Sequence, residues 1–168
     1  MGEKSTTTGE TSTTTGEIII RTALPEDLAT LLTFEQDLIL TERPMDPTIQ
    51  EGSIHYYDIG AMIDDPDIEV VVAEQSGALI GSGYARIETG RHYLKHRQHA
   101  YLGFMYVVPT HRGKGVNQMI IAALRQWALS RQITELRLTV YETNESAIRA
   151  YEKAGFTRHL VEMRMGLH

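Results

Sequence analysis

Residues 107–119 read VVPTHRGKGVNQM, an apolar run followed by a glycine-rich turn and the start of an amphipathic helix pattern. The first N–H groups of a helix lack internal partners and lie at the positive end of the helix dipole. Gly113 and Gly115 allow close approach of a ligand, and Arg112 and Lys114 add positive charge. The segment predicts a cradle for phosphate or pyrophosphate, with a plain strand-to-helix turn as the alternative.

Two common phosphate-binding patterns do not fit this turn. The Walker pattern G-x-x-x-x-G-K-[ST] is missing, which argues against a P-loop NTPase. Gly113 and Gly115 start a G-x-G-x-x-G match, but Gln118 stands at the last position. The first strand–helix unit of the chain carries no such fingerprint either, so a dinucleotide-binding fold is disfavoured.

The rest of the chain alternates between strand and helix patterns. The expected strands cover residues 17–21, 68–75, 78–88, 99–108, 136–141 and a last run after Gly155 in which Val161, Met163 and Met165 alternate. The expected helices begin at Pro25, at Ser53 and at residues 113 and 145. This order predicts a single-domain α/β fold with a mixed central sheet flanked by helices.

Two motifs resemble the GCN5-related N-acetyltransferase (GNAT) superfamily. The acyl-CoA motif Q/R-x-x-G-x-G/A of that family matches residues 112–117, although Asn117 stands where Gly or Ala is usual. The second block, N-x-x-A-x-x-x-Y-x-x-x-G-F, is complete as Asn144, Ala147, Tyr151, Gly155 and Phe156. The resemblance covers about residues 17–166 and implies the GNAT-like acyl-CoA N-acyltransferase fold, with acetyl-CoA as cosubstrate.

The resemblance also implies a set of cofactor-binding residues. The thioester would lie between two splayed parallel strands, here 99–108 and 136–141, with the N–H of Val107 polarising its carbonyl. Pantetheine would pair with the backbone of the earlier strand and with Asn144. The full set expected to bind acetyl-CoA is Met105, Tyr106, Val107, Arg112, Gly113, Lys114, Gly115, Val116, Asn117, Gln118 and Asn144.

Catalytic roles follow from the same resemblance. Tyr151 would protonate the departing thiolate as a general acid. Family members often carry a glutamate on one of the splayed strands as the general base, but Tyr101 and Thr139 occupy those positions here. The remaining options are His99, Tyr101, Glu142, a carboxylate of the acidic helices acting through water, or no base at all.

Charge is divided unevenly along the chain. Residues 22–69 hold twelve acidic residues and one basic residue, whereas residues 86–168 hold thirteen basic and six acidic ones, within a net charge of −6. In a GNAT-like layout the acidic block would line the acceptor side of the cleft, which favours a polycationic amine acceptor. The alternative is that the acidic residues only form the solvent-exposed faces of surface helices.

The composition excludes several classes of protein. The length of 168 residues suits one domain, and the lack of cysteine excludes disulfides and thiolate metal sites. The acidic balance disfavours nucleic-acid binding, and no apolar run suits a membrane helix or a secretory leader, so we expect a cytoplasmic protein. His92, His96 and His99 have helical spacing, but their basic surroundings favour a strand connection, and we expect no metal.

Three further expectations complete the sequence analysis. Residues 1–16, with the repeat STTTGE, predict a flexible Thr/Gly-rich tail before a domain at 17–168. Open strand edges, including the apolar run near the C-terminus, favour a homodimer. The leading function is transfer of acetyl from acetyl-CoA to a primary amine, and the alternative is an acyl-CoA-binding regulatory module without turnover.

Overall fold

The computed structural model describes residues 16–167 as a five-stranded sheet with helices on both faces. The strands are β1 (Ile18–Thr22), β2 (Ile68–Gln75), β3 (Ala78–Thr89), β4 (Gln98–Val107) and β5 (Leu136–Arg137). The helices are α1 (Leu28–Glu42), α2 (Ile59–Asp64), α3 (Val116–Ser130) and α4 (Glu145–Lys153). The predicted mixed α/β fold is confirmed. The tail predicted for residues 1–16 lies outside the described residues, apart from Gly16.

The sheet follows chain order, and only its last pair is parallel. Neighbouring strands from β1 to β4 are antiparallel, and β4 pairs with β5 in parallel. The predicted β2–β3 hairpin turns at Ser76 and Gly77, both with positive φ, the conformation that a two-residue hairpin turn requires.

Two apolar clusters fill the space between the sheet and its helices. On one face α3 contributes Val116, Ile120 and Leu124, which are at most 1% exposed. On the other face α1 and α2 contribute Leu31, Phe34, Ile59 and Met62, which pack with Tyr84, Phe104 and Tyr106 of the sheet. No helix within residues 16–167 is both long and apolar enough to span a bilayer.

Helix starts differ from the predictions in three places. Helix α1 begins at Leu28, because the predicted first turn at Pro25–Asp27 is a 3-10 helix. Helix α3 begins at Val116, because Gly115 has φ +83° and cannot be a helical residue. Helix α2 begins after Asp58, whose side chain accepts a hydrogen bond from the N–H of Ala61 at 3.1 Å. The prediction of Ser53 as its cap was therefore wrong, because either residue type can cap a helix and the sequence does not rank them.

The C-terminal strand expected after Gly155 does not join the sheet. Residues 157–167 form no strand, and Leu160, Val161, Met163, Met165 and Leu167 are 79–90% exposed. Arg164 instead pairs with Asp46 at 3.1 Å. Strand β5 is also shorter than predicted. Alternating apolar residues favour a strand, but a strand forms only where a neighbouring strand completes its backbone hydrogen bonds. The pattern does not show whether such a neighbour is present.

Candidate active site

An opening between β4 and β5 forms the candidate site. The two strands pair only at Ala100 with Leu136 and at Tyr101 with Arg137, and they separate beyond these positions. The N–H of Val108 donates to the carbonyl of Ile80 in β3 at 2.9 Å. Because successive residues of a strand point their N–H groups to opposite sides, the N–H of Val107 faces away from β3 and into this opening.

A β-bulge in β4 lies beside the opening. Pairing with β3 shifts register between Ser82 and Tyr84, and Phe104 has φ +53°. The Ser82 hydroxyl donates to the Phe104 carbonyl at 3.1 Å, which holds the bulged backbone in place. Bulges bend a strand and increase its twist, so this one helps to turn β4 away from β5.

The glycine-rich turn closes one end of the opening. Gly113 and Gly115 have φ of +74° and +83°, and a Cβ built on either residue would meet no atom within 4 Å. These glycines are therefore required by backbone conformation and leave open space above the turn. The N–H groups of residues 116–118 stand in the first turn of α3, where they have no helical acceptor, and Asn117 adopts the helix without difficulty. The site therefore fits a pyrophosphate.

Two side chains of this segment contact the protein itself. The Arg112 Nε donates to the Val107 carbonyl at 2.9 Å, and its guanidinium lies 5.9 Å from the centre of the Tyr106 ring. The Gln118 Nε2 donates to the carbonyl of Ala150 at 2.9 Å, which ties α3 to α4. Lys114 is exposed at the top of the turn. Arg112 is held by its contact with Val107, whereas Lys114 has no hydrogen-bond or ion-pair partner within residues 16–167 and can move toward a bound anion.

Helix α4 carries the second motif to the other side of the opening. Asn144 is its N-cap, and its Oδ1 accepts from the N–H of Ala147 at 3.3 Å, so its amide nitrogen remains available as a donor. Tyr151 is half-buried and packs edge-to-face on Phe156 with ring centres 6.0 Å apart. Burial raises the pKa of Tyr151 to about 12, and the charge of Glu42 adds to the rise. The phenol therefore remains protonated at neutral pH.

Met105 and Tyr106 point to opposite faces of the sheet. Met105 packs among the residues under α3, whereas Tyr106 is buried against Phe34 of α1, with ring centres 4.8 Å apart. The Tyr106 hydroxyl donates to Asp37 at 2.9 Å, and its pKa is raised to about 12 by burial and by that carboxylate. Their side chains therefore anchor β4 to both layers, and any contact with pantetheine falls to their backbone.

The candidate bases from the sequence are differently placed. His99 is buried at the paired end of β4, 3.3 Å from Glu88. The hydroxyls of Tyr101 and Thr139 hydrogen-bond to each other at 2.6 Å across the point where the strands separate. Glu142 is exposed and lines a surface depression of about 420 Å³ along α4. Within residues 16–167 no group of three His, Cys, Asp or Glu side chains could hold a metal ion.

Two glutamates of α1 belong to the carboxylates of the acidic helices that the sequence analysis kept as candidate bases without naming them. Glu35 is fully buried and accepts from the N–H groups of Tyr56 and Tyr57 at 2.7 and 2.9 Å, and from His55 at 2.7 Å. Glu42, two turns later, is half-buried, and burial raises its pKa. The available signal was a carboxylate at an apolar-face position of a helix, which is costly unless it has partners.

The acidic block does not form one surface. Asp27 pairs with Arg21 at 2.8 Å, Asp37 accepts from Tyr106, and Asp46 pairs with Arg164. Asp67 pairs with Arg131 at the C-terminal end of α3, about 22 Å along that helix from the glycine turn. The acids at 64–67 therefore lie at the end of the molecule where β4 and β5 are still paired.

Comparisons with known proteins agree with this geometry. The family model described as "Acetyltransferase (GNAT) family" matches residues 33–156. A streptothricin acetyltransferase of Escherichia coli is 48% identical over 48 residues, which is 29% of this chain and 28% of that protein. A mycothiol acetyltransferase of Thermobispora bispora is 29% identical over 83% of this chain and half of its own length. The chain thus spans half or less of these two relatives.

Two other similar proteins match over most of their length. A thialysine N-epsilon-acetyltransferase of Sus scrofa is 28% identical, with 86% of each chain covered. The tetramutant of the BH1408 protein from Bacillus halodurans superposes with a TM-score of 0.78 at 19% identity, over 89% of this chain and 99% of that one. With three quarters of its length matched by the family model, this chain belongs to the acetyltransferase (GNAT) family.

Proposed function

We propose that the protein is an N-acetyltransferase that moves the acetyl group of acetyl-CoA to a primary amine by direct attack on the thioester. The observation that carries this proposal is the opening between β4 and β5, which has the glycine turn at one end and the motif helix α4 on its other side. A thiol-release assay with acetyl-CoA and a panel of amines tests it directly.

The cosubstrate would lie along that opening. The N–H groups of residues 113–118 would bind the pyrophosphate, aided by Lys114, because a helix N-terminus favours anions. The backbone of residues 105–107 and the free amide nitrogen of Asn144 would hold the pantetheine arm. A protein of Clostridium acetobutylicum described as a predicted acetyltransferase, solved with acetyl-CoA, shares this fold with a TM-score of 0.65, at 18% identity.

Two groups would act on the thioester. The N–H of Val107 would donate to the carbonyl oxygen as negative charge develops on it. Tyr151 would give its proton to the departing sulfur, and its phenol is protonated before the reaction. The bond from Gln118 to the carbonyl of Ala150 supports a fixed position for Tyr151 relative to the turn.

The acceptor would be a cationic amine, with a polycation preferred. The acids near the opening that support this preference are Glu42 and Asp37, whereas those at 64–67 are too remote to act on the acceptor. The name of the Sus scrofa relative likewise specifies acetylation of an amine nitrogen. A cytoplasmic location would suit an enzyme that draws on acetyl-CoA.

A binding module without turnover is the second candidate. It is favoured by Asn117 at the last position of the acyl-CoA motif and by the lack of a carboxylate at Tyr101 and Thr139. The assay separates the two functions. A binding module binds acetyl-CoA but releases no thiol with any amine, whereas the enzyme releases one thiol for each amine that it acetylates.

We also propose a homodimer, supported by the exposed apolar side chains of segment 157–167, which joins no strand of the sheet. A second copy could pair with this segment or with the outer edge of β5. Light scattering at micromolar concentration should give twice the chain mass of 18.9 kDa. A variant with Val161 and Met163 changed to Lys should give the monomer mass, and a monomeric wild-type protein would refute the proposal.

A further inference from the structure

One face of α1 carries two carboxylates toward the loop at residues 52–57. Glu35, Ile39 and Glu42 are spaced by four and then three residues, which places them on the same side of the helix. Glu35 and Ile39 are at most 1% exposed, and Glu35 holds the N–H groups of Tyr56 and Tyr57. Glu42, in the last turn, therefore points toward the same loop.

The neighbour of Glu42 on that loop is Tyr56. The Tyr56 hydroxyl is buried and has no hydrogen-bond partner of good geometry within residues 16–167. Burial raises the pKa of Glu42, and the nearby hydroxyl offsets only part of that rise. Burial likewise raises the pKa of Tyr56, and the charge of Glu42 raises it further. The Glu42 carboxylate and the Tyr56 hydroxyl thus lie side by side, and both can still hydrogen-bond to a third group.

Glu42 also lies within electrostatic reach of the motif tyrosine. Its charge adds to the rise in the pKa of Tyr151, after burial. On the other flank, Tyr57 packs on Phe104 of the β4 bulge with ring centres 5.4 Å apart. Glu42 is therefore the acid of α1 whose charge acts on α4 and on the loop that rests against β4.

The other groups facing Glu42 are poor proton acceptors. The charge of Glu42 acts on Tyr56 and Tyr57 of the loop, Tyr141 after β5 and Tyr151 of α4. Arg43 acts on the first of these tyrosines, and Asp46 with its partner Arg164 acts on Tyr141. Burial raises the pKa of each of the four tyrosines, so they remain neutral phenols. Hydrogen bonds from Thr48 and Arg164 lower the pKa of Asp46 to about 2, which makes it a weak base.

We propose that Glu42 is the general base that takes a proton from the acceptor ammonium, an assignment that rests on the proposed acetyl transfer. The ammonium gives its first proton to Glu42, and the free nitrogen attacks the thioester carbon. As the C–N bond forms and the C–S bond breaks, the thiolate takes the proton of Tyr151. The second nitrogen proton restores the Tyr151 phenol, and Glu42 releases its proton to solvent, so one proton leaves per turnover.

The test compares Glu42→Gln with Asp64→Asn, which changes the net charge equally at an exposed position at the paired end of the sheet. Spermidine serves as the acceptor probe, and kcat, KM and acetyl-CoA affinity are measured across pH. We expect Glu42→Gln to lower kcat about 100-fold near neutral pH and to remove the acidic limb of the kcat profile. Acetyl-CoA affinity should not change, and Asp64→Asn should behave as the wild type.

Each alternative result has a defined meaning. An acidic limb retained in Glu42→Gln overturns the assignment, and so does a rise in spermidine KM with kcat unchanged, because Glu42 would then only bind the cation. Wild-type protein that binds acetyl-CoA but acetylates no amine of the panel overturns the acetyl transfer itself. If Glu42→Gln fails to fold by thermal melting, Glu42→Asp should keep the limb at reduced kcat, and loss of the limb in that variant contradicts the proposal.

Discussion

The two sides of the opening between β4 and β5 are built in different ways. The side proposed to bind acetyl-CoA, here called the cofactor side, is made by one continuous segment, in which a strand end, Gly113, Gly115 and the first turn of α3 follow one another. The side proposed to receive the acceptor, here called the acceptor side, consists of α1, the loop at 52–57 and α4. Its hydrogen bonds join distant parts of the chain, since Glu35 accepts from the N–H groups of Tyr56 and Tyr57.

This difference decides what each side needs in order to work. A turn whose conformation is set by two glycines keeps its shape without help from distant residues. The acceptor side depends on a buried carboxylate, Glu35, that fixes a loop through three hydrogen bonds. Substitutions on the first side should therefore affect cosubstrate binding alone, whereas those on the second should couple stability to the acceptor.

Removal of the Tyr151 hydroxyl should produce the largest effect, since this group serves both sides. We expect Tyr151→Phe to lower kcat by about 10²–10⁴-fold, the usual range for loss of a positioned proton donor. Acetyl-CoA affinity should remain close to that of the wild type, because the ring and its packing on Phe156 are kept. Steady-state kinetics and calorimetry measure the two quantities. Wild-type turnover in the variant would show that the hydroxyl is not used.

A charge placed in the glycine turn tests the cofactor side by itself. Gly115→Glu should weaken CoA binding by about 10–100-fold, because a carboxylate near the pyrophosphate costs roughly 1–3 kcal/mol at a surface site. Gly52→Glu is the matched control, since Gly52 also has positive φ and open space above it but lies on the acceptor-side loop. Equal CoA affinity in the two variants, measured by calorimetry, would remove the turn as the binding site.

Much of the fold follows from local patterns in the sequence. Strands β2 to β4 and helices α3 and α4 appear close to where alternation and helical spacing predict them, because each buries a continuous apolar face. The prediction of a C-terminal strand was wrong, and β5 was predicted too long, for one reason. Residues such as Val161 and Met163 have the right pattern but no neighbouring strand to pair with. An edge belongs to the tertiary structure and is not encoded in the segment itself.

The candidate site divides in the same manner. The turn at 112–118 could be located from its glycines and basic residues, and the block from Asn144 to Phe156 from its resemblance to the GNAT motif, because each is a run of neighbouring residues. Glu35 and Glu42 could not, since their burial depends on a loop that meets α1 only in the folded chain. The acidic block also misled the prediction, because sequence counts charges without showing which of them form ion pairs, as Asp27 and Asp67 do.

Loosening the acceptor-side loop tests the coupling between stability and acceptor binding. Glu35→Gln should lower the free energy of unfolding by about 1–3 kcal/mol, because an amide cannot accept all three hydrogen bonds of a buried carboxylate. The acceptor KM should rise several-fold with CoA affinity unchanged, since Tyr57 would no longer be held against Phe104. Denaturant unfolding and kinetics measure both, with exposed Glu26→Gln as the control. A stable variant with normal KM would contradict this role for Glu35.

The smallest effect should come from salt, because many acids of the acidic block already have partners. If Glu42 and Asp37 attract the acceptor, kcat/KM for spermidine should fall a few-fold as the Debye length shortens from about 30 Å at 0.01 M to about 10 Å at 0.1 M salt. Changing Asp64, Asp65 and Asp67 together to Asn should leave this slope unaltered, since Asp67 pairs with Arg131 at the remote end of α3. A neutral amine should show a flat profile, because the field acts on charge alone. Faster acetylation of a neutral or anionic amine than of spermidine would contradict the preference for a polycation.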